Sequence, residues 1–321
     1  MLYKADAQMI GIQHLSTYET GIFDDSGSEI VAYDPLSQKV FSTNGSLNRV
    51  DMIDISDVNA PTLTGSIDLS TYGGGVQSLS IYNGVIAVAV EAVTLRTDPG
   101  SVVFFDNTGA YLNAVIVGAL PDMVAFSPNG NYVLTANEGE PDDNYTVDPL
   151  GSVSVINMSA GAQNLTQSDV TTLDFSAYNS QSIPGLRVYG PNASFAQDME
   201  PEYVAFNATG SEAYVILQEN NGVAKIDLTN TPSIVSVSGL GYKDWGSYQL
   251  DASNRSSAID FRSFDNLFGM YQPDAIKGVS YGSKSYIITA NEGDSRDYDG
   301  YSEEDRVGDL VLDTVAFPSA S

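Results

Sequence analysis

The strongest constraint on this chain is a hairpin phrase written three times: "PDMVAFSPNGNYVLTANEGE" from Pro121, "PEYVAFNATGSEAYVILQEN" from Pro201 and "PDAIKGVSYGSKSYIITANEGD" from Pro273. Each copy runs proline, acid, strand, glycine-bearing turn, strand, then Asn or Gln followed by Glu. Looser copies begin at Ser28 ("SEIVAYDPLSQKVFSTNG") and at Val76 ("VQSLSIYNGVIAVAVEA"). Most of these hairpins are followed by a third β-branched stretch, "RVDMIDI", "GSVVFFD", "GSVSVINM" or "GVAKIDL", and often by a fourth, such as "TLTGSIDLS" or "SIVSVSGL". Helical periodicity is nearly absent, and Gly, Asn, Asp and Pro punctuate the strands. Four strands recurring at about 45 residues are the signature of a propeller blade. A long β-sandwich has no need of near-identical hairpins, and the rungs of a β-helix are shorter. The expected fold is therefore all-β: a β-propeller of four-stranded antiparallel blades, with about five blades or part-blades in this chain. It is read as a single domain over residues 1–321, incomplete at its C-terminal end, with insertions near 176–198 and 241–271 that cap one face.

Antiparallel hairpins put the start of their first strand and the end of their second at one edge, so these positions from every blade converge on one face. At the first position stand Glu29, Gln77, Asp122, Glu202 and Asp274; just past the second stand Gly45, Glu91, Glu138, Glu219 and Glu292. Acids make up 41 of 321 residues, so their enrichment at both positions predicts an acidic ring: Glu29, Glu91, Asp122, Glu202, Glu219 and Asp274. Clustered carboxylates raise one another's pKa unless a cation intervenes. Oxygen-only ligation suits hard ions, calcium ahead of magnesium.

The loops that follow two of the hairpins echo each other, "TANEGEPDDNY" at 135–145 and "TANEGDSRDYDGY" at 289–301. They offer Glu138, Glu140, Asp142 and Asp143, and Glu292, Asp294, Asp297 and Asp299, as metal-ligand candidates. The run "DYDG" is not an EF-hand loop, because Ser295 and Arg306 fall where its terminal carboxylates belong. Solvated acidic loops are the alternative. Arg296, Lys243 and Arg255 are the basic groups placed to hold an anion or to balance local charge.

The net charge of −28 repels phosphate backbones and anionic lipid, so nucleic acid is excluded as a partner and cations are favoured. No apolar run approaches the ~20 residues of a spanning helix. The chain has no cysteine, hence no disulfide, thiolate metal site or thiol nucleophile. His14 is the sole histidine and stands without "GxSxG", "HExxH" or a phosphate loop, which argues against serine-triad and zinc hydrolases.

The fragments "FDDSGSEIVAYDP", "LPDMVAFSPNGNYVLTANEGEPDDNY", "VYGPNASFAQDMEPEYVAFN", "AYVILQENNGVAKIDL", "GMYQPDAI" and "ITANEGDSRDYDGYSEEDRVGDLVLD" resemble the choice-of-anchor I family. These are secreted bacterial proteins related to mesenchyme-specific cell surface glycoproteins and often labelled alkaline phosphatase-like. The resemblance implies a propeller of about seven blades, exported and held at the surface by varied C-terminal anchors. It implies that further blades follow this chain, or that a second chain completes the ring. Two functions are expected of such a molecule. The first is a secreted or cell-surface calcium-binding propeller that presents an acidic face to a ligand, matrix or partner. The alternative is a calcium-dependent phosphoesterase whose ring carboxylates hold the ions; a lactonase-like sugar enzyme is suggested only by the "SPNGNYVL" hairpin.

Overall fold

The structure is a computed structural model and describes residues 11–282, 284–313 and 315. The remaining ends of the expected domain lie outside the described residues.

Four sheets of four strands follow one another along the chain, each a simple antiparallel meander. The first holds β1 (Val31–Asp34), β2 (Lys39–Asn44), β3 (Arg49–Asp54) and β4 (Thr62–Asp68). The second holds β5 (Val76–Tyr82), β6 (Val85–Val90), β7 (Pro99–Asp106) and β8 (Tyr111–Ala119). The third holds β9 (Pro121–Phe126), β10 (Tyr132–Asn137), β11 (Ser152–Asn157) and β12 (Val170–Asp174). The fourth holds β13 (Pro201–Phe206), β14 (Glu212–Leu217), β15 (Gly222–Asp227) and β16 (Ser233–Gly239). The insertion after β16 carries a small hairpin, β17 (Tyr242–Asp244) and β18 (Phe268–Met270). A fifth hairpin follows, β19 (Pro273–Tyr281) and β20 (Lys284–Asn291), and then a two-residue pair, β21 (Asp297–Tyr298) and β22 (Tyr301–Ser302). The first strands β1, β5, β9, β13 and β19 contact one another in succession, as the inner strands of blades around an axis do. The molecule is a β-propeller.

The strands explain the packing. Successive side chains on a strand point to opposite faces, and a blade between two others must be apolar on both. In β6, Ile86, Val88 and Val90 pack into the core shared with the first blade, whereas Ala87 and Ala89 pack into the core shared with the third. β7 divides the same way: Val103 and Phe105 face one neighbour, Val102 and Phe104 the other. Leu134 and Ala136 of β10 meet Val204, Val215 and Leu217 of the fourth blade. Ala205, Ile216 and Ile276 form the smaller core between the fourth and fifth. Each interface between neighbouring blades is thus one hydrophobic cluster.

One close approach matters for the mouth. Gly151, at the entry to β11, lies so near the Met199 carbonyl that a Cβ would collide with it. That contact brings the segment before β13, including the one-turn helix α1 (Phe195–Asp198), against the third blade. Ser194 caps this helix through a reciprocal exchange with Gln197.

Candidate functional site

The site is built at the inner edge of the third and fourth blades. In β9 and β10, Pro121 lies opposite Asn137, so Glu138 leaves the end of β10 beside Asp122. The Glu138 amide donates to the Leu120 carbonyl at 2.9 Å, and the fifth blade repeats this contact between Glu292 and the Gln272 carbonyl at 3.3 Å. A bulge in β13 between Pro201 and Val204 sets Glu202 toward the same place. Carboxylate oxygens of Asp122, Glu138 and Glu202 lie within 4.8 Å of one another. Glu138 is 9% exposed. Glu138 and Glu202 share a side-chain hydrogen bond, and among the described residues no amide, hydroxyl or basic group donates to any of the three.

Burial, and after it like charge, shifts the titrations. Burial, then Asp274 and Glu29, push Asp122 up to about 6. Burial, then Asp122, Glu219 and Asp274, push Glu202 up to about 9. Glu138 is raised well above the carboxylate range by burial, with Asp122, Glu202, Glu219 and Glu200 adding repulsion. Burial pushes Glu219 up to about 7, and its Oε2 is buried with no hydrogen-bond partner.

The residues of the expected ring therefore fall into groups. Asp274 and Glu29 lie close enough to act on Asp122, and Asp122, Glu219 and Asp274 close enough to act on Glu202. Glu91 stands apart, its carboxylate laid over Gly74 and Gly75, and lines a polar pocket of about 450 Å³ with Arg96, Asp142 and Asp143.

Of the eight metal-ligand candidates in the echoed loops, Glu138 alone enters a group of three carboxylates among the described residues. Glu140 is ion-paired with Arg96. Asp142 is occupied by a turn: it accepts from the Thr146 hydroxyl at 2.6 Å and the Val147 amide at 2.9 Å, and the Thr146 hydroxyl first of all holds its pKa below the usual range. Asp294 accepts from the Ser295 amide at 2.7 Å. Asp143, Glu292, Asp297 and Asp299 are exposed.

What the two echoed loops share is each other. Gly300 donates its amide to the Asp143 carbonyl at 2.8 Å, and Tyr145 packs edge-on against Tyr298 and Tyr301. Arg296, 2% exposed, enters the protein beneath them. It meets Glu200 through Nε at 3.0 Å and Nη2 at 2.8 Å, Asp198 through Nη1 at 2.7 Å, the Asp198 carbonyl through Nη2 at 2.8 Å and the Tyr145 hydroxyl at 3.1 Å. Each of its three nitrogens donates to a protein oxygen and the side chain is buried, so it balances charge internally. Lys243 lies over the Trp245 ring at 3.9 Å, and Arg255 remains on the insertion, exposed. His14 is exposed beside Thr17.

Asp198, at 0% exposure, and Glu200, at 2%, do not belong to the residues expected from sequence. An acid directly before the blade-opening proline, "DMEPEY", where the neighbouring blades have Leu120 and Gln272, was the available signal for Glu200. Asp198 had none, because its partners Arg296, Asn220 and the amides of Tyr189 and Gly190 are gathered only by the fold.

A propeller of four-stranded blades with a carboxylate-lined axial mouth is the class that fold and site define. Within it, this chain belongs to the choice-of-anchor I family, whose domain matches residues 29–321. A mesenchyme-specific cell surface glycoprotein of Strongylocentrotus purpuratus is 35% identical over 106 residues, 32% of this chain and 13% of that protein. Among solved structures, a chain of Kuenenia stuttgartiensis hydrazine synthase aligns over 81% of this chain and 70% of its own, at 16% identity and a TM-score of 0.47. The propeller domain of Cps50 (Swd1) from Myceliophteria thermophila aligns over 75% and 72%, at 10% identity and 0.42. A chain of a nidogen/laminin complex aligns over 81% and 71%, at 11% identity and 0.42. All three scores lie below 0.5, and the propeller assignment rests on this chain's own sheets and inner strands. Among the described residues no helix is long and apolar enough to cross a membrane.

Proposed function

We propose that this chain is the cation-binding propeller of a surface or secreted protein, and that its axial mouth binds calcium through Asp122, Glu138 and Glu202. The observation that carries the reading is three convergent carboxyl groups whose only hydrogen-bond partner among the described residues is one another, one of them nine-tenths buried. A buried anionic group with no partner is costly, and a hard cation relieves all three at once. Calcium accepts carboxylate oxygens in irregular geometry and leaves room for water, which suits a site open on its outer side to Asp274 and Glu29. The ion would also lessen the repulsion around the rim, so that the loops of neighbouring blades hold one arrangement for a partner to meet. The surface setting is supported by the family and by the name of the sea urchin relative.

Calorimetric titration of calcium into the wild-type chain and into Asp122→Asn with Glu202→Gln tests the reading. A binding isotherm in the wild type that disappears in the double variant is expected; identical isotherms, reflecting only the diffuse acidic surface, would refute it.

A further inference from the structure

The carboxylates of the mouth continue inward beyond the three proposed as calcium ligands. Glu138 feels Glu219 and Glu200 as well as its nearer neighbours, and Glu219 in turn is close to Glu200. At Glu200 the series ends on a cation, Arg296. Five oxygens surround that guanidinium: two of Glu200, the Oδ1 and the carbonyl of Asp198, and the hydroxyl of Tyr145. Two carboxylates, a carbonyl and a hydroxyl make an oxygen shell of the kind that hard cations take. Asp198 is fixed in this shell by the amides of Tyr189 and Gly190, at 3.0 and 2.6 Å, and by Asn220 at 3.0 Å.

We infer that Arg296 is a built-in cation filling the inner half of the carboxylate cluster, so that the mouth takes one calcium ion rather than a pair. The inference rests on the calcium reading above and deepens it by fixing the stoichiometry. The planar fork suits this task, because it hydrogen-bonds one Glu200 oxygen through Nε and ion-pairs with the other through Nη2 while reaching Asp198 with Nη1. The position is also economical for assembly, since Arg296 arrives on the second echoed loop and delivers its charge only when that loop docks on the first. A further consequence concerns chemistry. A two-metal clamp on a phosphoester needs a second ion beside the first, and here the inner carboxylates Glu200 and Asp198 already hold a protein cation.

The test counts bound calcium by native mass spectrometry on the full chain, with each variant compared to the wild type so that adventitious surface ions cancel. Glu138→Gln, which borders both halves, should lose one ion. Arg296→Gln should gain one, and Arg296→Lys should leave the count unchanged. Loss of two ions in Glu138→Gln, or an unaltered count in folded Arg296→Gln, would overturn the inference while leaving calcium binding intact. No loss in Glu138→Gln would remove the calcium reading itself. Should Arg296→Gln fail to fold without metal, the Glu138→Gln count still decides between one ion and two.

Discussion

Glu138 is the residue on which the account turns, because it is the buried member of the three and the only one supplied by an echoed loop. Glu138→Gln keeps its shape and removes its charge. In chelator this variant should unfold at a higher temperature than wild type, since a repelled buried carboxylate is gone; a lower midpoint would mean that its charge is satisfied in the native state. The pH dependence follows from the same groups. Asp122, Glu219 and Glu202, at about 6, 7 and 9 in the folded chain, titrate near 4 when unfolded. Between those values the folded state holds more protons, so the stability from these groups is complete below about pH 4 and is lost as pH rises toward about 9. Denaturant melts in chelator should show this decline, and saturating calcium should flatten it by taking the place of the protons. A decline that is the same with and without calcium would contradict the site.

At the scale of elements, the hairpin repeats and the third strands were legible because strand periodicity and turn residues are local properties. The phrase "YVLTAN" against "SYIITAN" is enough to equate β10 with β20. What the phrase could not disclose is burial. Leu134 of β10 is fully buried between blades, whereas its counterpart Ile288 in β20 is 59% exposed, because burial depends on the neighbour and not on the strand. The same limit applies to the loops. Sequence shows that the acids are repeated, but the distribution of those acids among a turn, an ion pair with Arg96 and the mouth is set by contacts distant in the chain. Two outcomes belong here. Phe104→Ala, which empties a fully buried site between the second and third blades, should cost about 3–5 kcal/mol in urea unfolding, and a loss under 1 kcal/mol would contradict a tightly packed blade interface. Gly300→Ala would drive a Cβ into the Asn144 carbonyl, so amide exchange should quicken in both echoed loops together; faster exchange in the second loop alone would show that they do not depend on each other.

For the whole molecule, five inner strands gather acids from residues as far apart as Glu29 and Asp274, and the net charge of −28 adds a field that concentrates cations at every surface. General screening and a specific ion both stabilise such a protein, but only the ion depends on Glu138. The direct measurement is the thermal unfolding midpoint of wild type and Glu138→Gln, each in chelator and in rising calcium at constant ionic strength. Binding to the native state alone stabilises by RT ln(1 + [L]/Kd), about 2.7 kcal/mol at a hundredfold excess over Kd. The wild-type midpoint is expected to rise with calcium and the variant's to stay level. Parallel rises in both proteins, or no rise in either, would contradict a specific ion.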